Sequence, residues 1–169
     1  HMEEKLFNKL LYTAQAHGLY DKANISNAYE ILKALKKKNI ATNIEHLLRV
    51  SITIAKMGFN SEVIAAALLH EIHLLPNEDL FSIKSYIKSS EIFNIITLYG
   101  ELDDFIENTS ASIKPIDFRN QNEVFKTALY IKLADRIDVL KNNYSSAFNS
   151  SSHITQSNHF LLEIAREEG

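Results

Sequence analysis

Apolar residues recur at intervals of three and four along most of the chain, which is the period of an amphipathic α-helix. The first such pattern covers residues 3–17 and stops at Gly18. Similar patterns predict helices at about 26–39, 43–57, 60–75, 78–88, 91–107, 119–143 and 155–167, with loops at 21–25, 108–117 and 142–158. No segment shows the strict alternation of a strand, so we predict an all-α fold.

We expect one HD-type helical bundle of about seven helices over residues 3–169, with residues 1–2 as a tag scar and the start Met. The low content of Gly (4) and Pro (2) favours long helices over a turn-rich fold. The net charge of -3 argues against nucleic acid as the main partner. The absence of cysteine excludes disulfides and thiolate metal sites. No apolar stretch reaches the roughly 20 residues of a membrane span, so we expect a cytoplasmic protein with no membrane partner and leave its oligomeric state open.

The segment "AAALLHEIHLL" at 65–75 places three ionisable side chains, His70, Glu71 and His73, in an otherwise apolar run. Burial of such groups is costly unless they are paired or bind a metal. His46 and Asp135 occupy similar apolar surroundings in two other predicted helices.

The predicted third and fourth helices form an antiparallel pair joined at Gly58. His46 lies 12 residues before that glycine and His70 lies 12 residues after it. At about 1.5 Å per residue, both imidazoles reach the same height in the pair. With Glu71 and Asp135 they make a mixed nitrogen and oxygen site, which suits a divalent cation. We expect Mn²⁺, with Fe²⁺, Zn²⁺, Co²⁺ and Mg²⁺ as alternatives.

These residues carry a resemblance to a known family. "EHLLRVSITIAKMGFNSEVIAAALLHE" and "IKLADRIDVL", with "AQAH" near the start, resemble the HD superfamily of metal-dependent phosphohydrolases, and in particular the RelA/SpoT-type domain that removes the 3′-pyrophosphate of (p)ppGpp. The resemblance implies that a metal-bound water attacks phosphorus in a nucleotide or (p)ppGpp-like substrate. It makes His46, His70, Glu71 and Asp135 the metal ligands.

The resemblance also implies that Lys132 and Arg136 contact the substrate phosphates. His73 lies one turn from His70 and is a further candidate for the substrate pocket, although packing is the simpler role. Asp135 has an alternative as the buried ion-pair partner of Arg136.

Two of the chain's departures from the family pattern bear directly on the chemistry. Glu71 replaces the Asp of the His-Asp pair, and Leu74 and Leu75 replace an acidic Glu-Asp pair that acts on water. Glu78 and Asp79 are the nearest acidic residues and the candidates for that catalytic role. Two alternatives to an enzyme follow, namely a degenerate member that binds a phosphate ligand without hydrolysis and a helical domain that binds a protein partner.

Overall fold

The computed structural model describes residues 1–17, 20–40, 42–108 and 122–142. These residues form seven α-helices and one 3₁₀ helix, with no strand among them, which confirms the all-α prediction. The helices are α1 (Met2–Ala16), α2 (Lys22–Lys37), α3 (Ile44–Lys56), α4 (Ser61–Leu68), the 3₁₀ helix (His70–Leu74), α5 (Asn77–Lys84), α6 (Ser90–Asn108) and α7 (Glu123–Lys141). The predicted loops at 108–117 and 142–158 and the predicted helix at 155–167 lie largely or wholly outside the described residues.

Asx side chains set the starts of four helices. Asp21, Asn43, Asn60 and Asn122 each accept a hydrogen bond from a backbone amide in the first turn of the helix that follows. The cap at Asp21 corrects our prediction, which placed residues 21–25 in a loop and began the helix near Ser26. Polar residues at the start of α2 obscured its first turn in the sequence.

Helices α3 and α4 form the centre of the bundle. Helix α3 packs against α1, α4 and α7, while α4 packs against α2, α3 and α6. Gly58 allows the tight link between them because its φ of 85° lies in the left-handed region. The predicted helical pair is therefore present, and it places the His46 turn beside the segment that carries His70.

The predicted fourth helix, at 60–75, is interrupted. The α-helical part ends at Leu68, and residues His70–Leu74 continue as a 3₁₀ helix before Pro76. This 3₁₀ helix packs against α6, where the side chain of His73 approaches Gly100 so closely that a Cβ there would lie 3.1 Å from it. Among the described helices, none is long and apolar enough to cross a bilayer.

Candidate metal centre

The four predicted ligand positions converge on one point in the bundle. His46 comes from the first turn of α3, His70 and Glu71 from the 3₁₀ helix, and Asp135 from the middle of α7. One nitrogen or oxygen atom from each of these side chains lies within 4.8 Å of every other. Both imidazoles and Asp135 are buried, whereas the Glu71 side chain is 25% exposed, so the cluster opens toward solvent on the Glu71 side.

The separations within this cluster fit a single cation. Asp135 Oδ1 lies 2.8 Å from His46 Nε2 and 3.2 Å from His70 Nε2, and Glu71 Oε1 lies 3.7 Å from His46 Nε2. Ligand atoms that share one ion at about 2.1 Å are separated by about 3 Å when adjacent and about 4 Å when opposite. The donor set therefore suits a divalent ion in its chemistry, and these three separations are near those of ligands that share one ion.

The outer ring nitrogen of each histidine is held by the protein. His46 Nδ1 donates to Asp138 Oδ2 at 2.6 Å, and Arg49 Nε donates to Asp138 Oδ1 at 2.8 Å. His70 Nδ1 donates to the Ala67 carbonyl at 2.6 Å. Such bonds fix the ring orientation and direct each Nε2 toward the ion, as in many metal sites.

Asp138 was not predicted from the sequence as part of the site. It lies three residues after Asp135 and therefore on the same face of α7, and this spacing was the signal that could have identified it.

The charges of the cluster favour a cation at its centre. Burial opposes the imidazolium form of His46, but hydrogen bonds to Asp135 and Asp138 outweigh burial and raise the pKa of His46 to about 9. Burial likewise opposes ionisation of Asp135, yet bonds from the two histidines and the nearby Arg136 charge lower the pKa of its carboxyl well below the ordinary value. The metal-free protein thus holds a proton on His46 where a metal ion would bind.

A buried arginine borders the cluster. Arg136 Nη2 and Nε donate to Asp135 Oδ2 at 2.5 and 2.9 Å, so Asp135 presents its other oxygen to the histidines. Arg136 Nη1 is buried and has no hydrogen-bond partner in the described part of the chain. An unpaired guanidinium nitrogen is costly in a protein interior, and it is the kind of donor that an anion satisfies.

Lys132 contributes further positive charge on the same side, and His73 lies beside it. Lys132 Nζ donates to Asp103 Oδ1 at 2.5 Å, and His73 Nε2 lies 3.2 Å from Asp103 Oδ2. Burial opposes ionisation of Asp103, but the His73 bond and the Lys132 charge lower its pKa below the ordinary range. His73 Nδ1 also faces an acceptor, the His70 carbonyl, at 2.6 Å. Asp103 was missed because its helix, α6, offered no pattern of metal-ligand residues.

These side chains surround a small open cleft with a free volume of about 20 Å³, which is room for about one water molecule or ion. Its lining comprises His70, Glu71, His73, Leu74, Tyr99, Asp103, Lys132, Asp135 and Arg136. The three predicted substrate-binding residues, Lys132, Arg136 and His73, thus lie with the metal cluster.

The structure does not bring Glu78 and Asp79 to this cleft. Both belong to the first turn of α5, after Pro76 has redirected the backbone. Glu78 is exposed, and Asp79 lines a separate cavity between α2 and α5. Neither carboxylate lines the cleft, so their position does not support the catalytic role predicted for them.

Comparisons of the chain with protein-family models, with curated proteins and with solved structures find no match. The site combines a mixed imidazole and carboxylate cluster with two neighbouring buried cations, Lys132 and Arg136.

Proposed function

We propose that this protein is a divalent-metal-dependent phosphohydrolase of the HD type, acting on a phosphate ester or anhydride such as a nucleotide or a (p)ppGpp-like pyrophosphate. One observation carries the proposal. A cluster that fits a metal ion adjoins a cleft lined by Arg136, whose buried Nη1 has no partner within the described residues. A cation and an unpaired guanidinium side by side suit a phosphoryl group.

His46, His70, Glu71 and Asp135 would hold the ion, and two imidazoles with two carboxylates suit Mn²⁺, with Fe²⁺, Zn²⁺, Co²⁺ and Mg²⁺ as alternatives. A bound divalent ion polarises a phosphoryl oxygen and lowers the pKa of a coordinated water. Hydrolysis joins the water oxygen to phosphorus and releases the leaving group, which takes up a proton.

The chain's own cations act on the phosphate. Arg136 donates through Nη1 to the phosphate, while Nε and Nη2 stay bonded to Asp135. One side chain therefore both binds the substrate and orients a proposed metal ligand. Lys132 is held by Asp103 at the cleft wall, with its Nζ 4.0 Å from Asp135 Oδ2. Both cations stabilise negative charge that develops on the phosphoryl oxygens.

Metal analysis and a hydrolysis assay test the proposal together. Protein loaded with Mn²⁺ should carry one equivalent of metal and release phosphate or pyrophosphate from at least one member of a panel of nucleotides, alkyl phosphates, alkyl diphosphates and inorganic pyrophosphate. His70→Ala should lose both metal and turnover, whereas His17→Ala, a substitution at an exposed histidine, should keep both. Full activity in His70→Ala, or no turnover by the metal-loaded protein, would contradict the enzymatic proposal.

A degenerate phosphate-binding protein is the second candidate, and the lining of the cleft favours it. Its three carboxylates are already engaged, since Glu71 and Asp135 belong to the metal cluster and Asp103 holds Lys132. No spare carboxylate among the described lining residues serves as general base. This candidate predicts that nucleotides or pyrophosphate raise the melting temperature of the metal-loaded protein without being hydrolysed.

A further inference from the structure

An apolar cavity of about 70 Å³ lies next to the metal cluster. Residues from α2, the α2–α3 link, α3, α4 and the 3₁₀ helix form its wall, together with Leu75. The lining comprises Leu32, Leu35, Ile40, Thr42, Leu47, Leu68, Glu71, Ile72, Leu74 and Leu75. Eight of these ten side chains are aliphatic, so the cavity offers a surface for a hydrocarbon group.

The cavity and the cleft share part of their walls. Glu71 and Leu74 line both spaces. Leu74 is 40% exposed, and it lies where the resemblance would place an acidic residue. A phosphate bound at the metal cluster therefore has an aliphatic surface within reach of its ester substituent.

The polar groups of the lining are already used. The Thr42 hydroxyl donates to the Ile40 carbonyl at 3.1 Å, and the Glu71 carboxylate belongs to the metal cluster. Among the described lining residues, no other side chain can hydrogen-bond the edge of a nucleobase or the hydroxyls of a ribose. A site without such partners disfavours polar substituents relative to apolar ones.

We propose that the phosphate ester recognised at this site carries a short aliphatic group, of about three to five carbons, in the cavity between the 3₁₀ helix and α2. The volume sets that length, since it is about half that of the roughly 150 Å³ apolar cavity that admits benzene in another protein. This inference rests on the proposed function, and it narrows the substrate from nucleotides in general to alkyl phosphates or diphosphates.

Alkylphosphonates test the inference without hydrolysis. Calorimetry on the full chain loaded with Mn²⁺ should show butylphosphonate binding at least about tenfold more tightly than methylphosphonate, because each buried methylene strengthens association by up to about fourfold. A nucleoside phosphonate should bind no more tightly than methylphosphonate.

Leu75→Ser is the matched variant, because Leu75 is only partly buried and lines the cavity but not the cleft. It should reduce the preference for butylphosphonate over methylphosphonate severalfold and leave methylphosphonate affinity unchanged. Leu140→Ser, at a leucine of α7 that is 60% exposed, is the control and should keep the full preference.

The outcomes separate the two proposals. Equal affinity for the two alkylphosphonates, or tighter binding of the nucleoside phosphonate, overturns the aliphatic cavity and leaves the metal-dependent site standing. A protein that binds neither one equivalent of metal nor any phosphonate overturns the proposed function, and the inference with it.

Discussion

Asp138 and Asp135 contact opposite nitrogens of the His46 ring. Asp135 faces the cluster, whereas Asp138 holds the outer nitrogen and is itself held by Arg49. Removal of Asp138 would free the ring to rotate, while removal of Arg49 would leave the ring bond in place. Substitutions of Asp138 and Arg49 therefore distinguish two effects, the orientation of the His46 ring and the partly exposed ion pair between Arg49 and Asp138.

Asp138→Asn should weaken Mn²⁺ binding by about 10- to 100-fold, the usual effect of losing a partner of a ligating histidine. Arg49→Gln is the matched control and should change affinity little, because the Asp138 bond to His46 remains. Metal titration by calorimetry measures both. Equal losses in the two variants would show that the ion pair, and not the ring bond, controls affinity.

His46 also predicts how the stability of the metal-free protein depends on pH. Its folded pKa of about 9 exceeds the ordinary value of 6.5, so its imidazolium stabilises the fold fully below pH 6.5. This contribution is lost as the pH rises through 9. Between about pH 6 and about pH 10, the free energy of unfolding should fall by up to about 3 kcal/mol.

Urea unfolding in the presence of a chelator measures this dependence. His46→Gln removes the titrating group, and its unfolding free energy should vary less over the same pH range. If the unfolding free energies of the unsubstituted protein and His46→Gln change equally with pH, a group other than His46 determines the pH dependence.

Residues of the site could be predicted where their spacing along the sequence determines their position on a pair of helices. The equal distances of His46 and His70 from Gly58 predicted that the two imidazoles meet, and their ring centres are 6.0 Å apart. Asp103 was not predictable, because its contact with Lys132 spans 29 residues and depends on how α6 packs against α7. The cavity beside Leu74 could not be predicted from the sequence either, because its lining comes from five separate segments of the chain.

At the scale of elements, the positions of the described helices followed largely from the apolar period, but the start of α2 and the change to a 3₁₀ helix after α4 did not. Helix α2 begins at Lys22 because Asp21 caps it. The first turn of this helix is polar, so the apolar period did not indicate where it starts. The 3₁₀ helix was not predicted because "AAALLHEIHLL" is apolar apart from three ionisable residues, so the apolar period shows no break before Pro76. Tertiary contacts with α6 accompany the change of helix type.

The cap of α3 should influence both stability and metal affinity. Asn43 accepts a hydrogen bond from the His46 amide at 3.0 Å, so the same bond starts the helix and positions a proposed metal ligand. Asn43→Ala should cost about 1 kcal/mol of stability and weaken Mn²⁺ binding. Asn60→Ala, which removes the cap of α4, should cost a similar amount with little change in metal affinity. Unfolding and metal titration of both variants test this, and equal metal affinities would contradict it.

At the scale of the whole molecule, the cluster joins distant parts of the chain. His46 and Asp135 are separated by 89 residues, and the 3₁₀ helix supplies the other two proposed ligands. An ion bound there links α3, α7 and the segment after α4. The unfolded chain offers no such arrangement, so binding energy adds to the stability of the fold.

Metal should therefore raise the melting temperature. Free Mn²⁺ at one hundred times its dissociation constant stabilises the folded state by about 2.7 kcal/mol, which corresponds to about 5–10 °C for a chain of this size. Differential scanning calorimetry with and without chelator measures the shift. Asp135→Asn should abolish it, and an unchanged shift in that variant would place the ion elsewhere.

The 3₁₀ helix has a consequence for which sequences this segment tolerates. Successive residues advance by about 120° in a 3₁₀ helix and by about 100° in an α-helix. His70 and His73 are thus aligned after one full revolution, and both face the cleft. A continuous α-helix would rotate His73 by about 60° relative to His70, away from Asp103. The segment is therefore constrained in its rotation per residue about the helix axis as well as in its apolar character. A substitution that extends α4 by one turn would misalign the site without altering any of the proposed ligands.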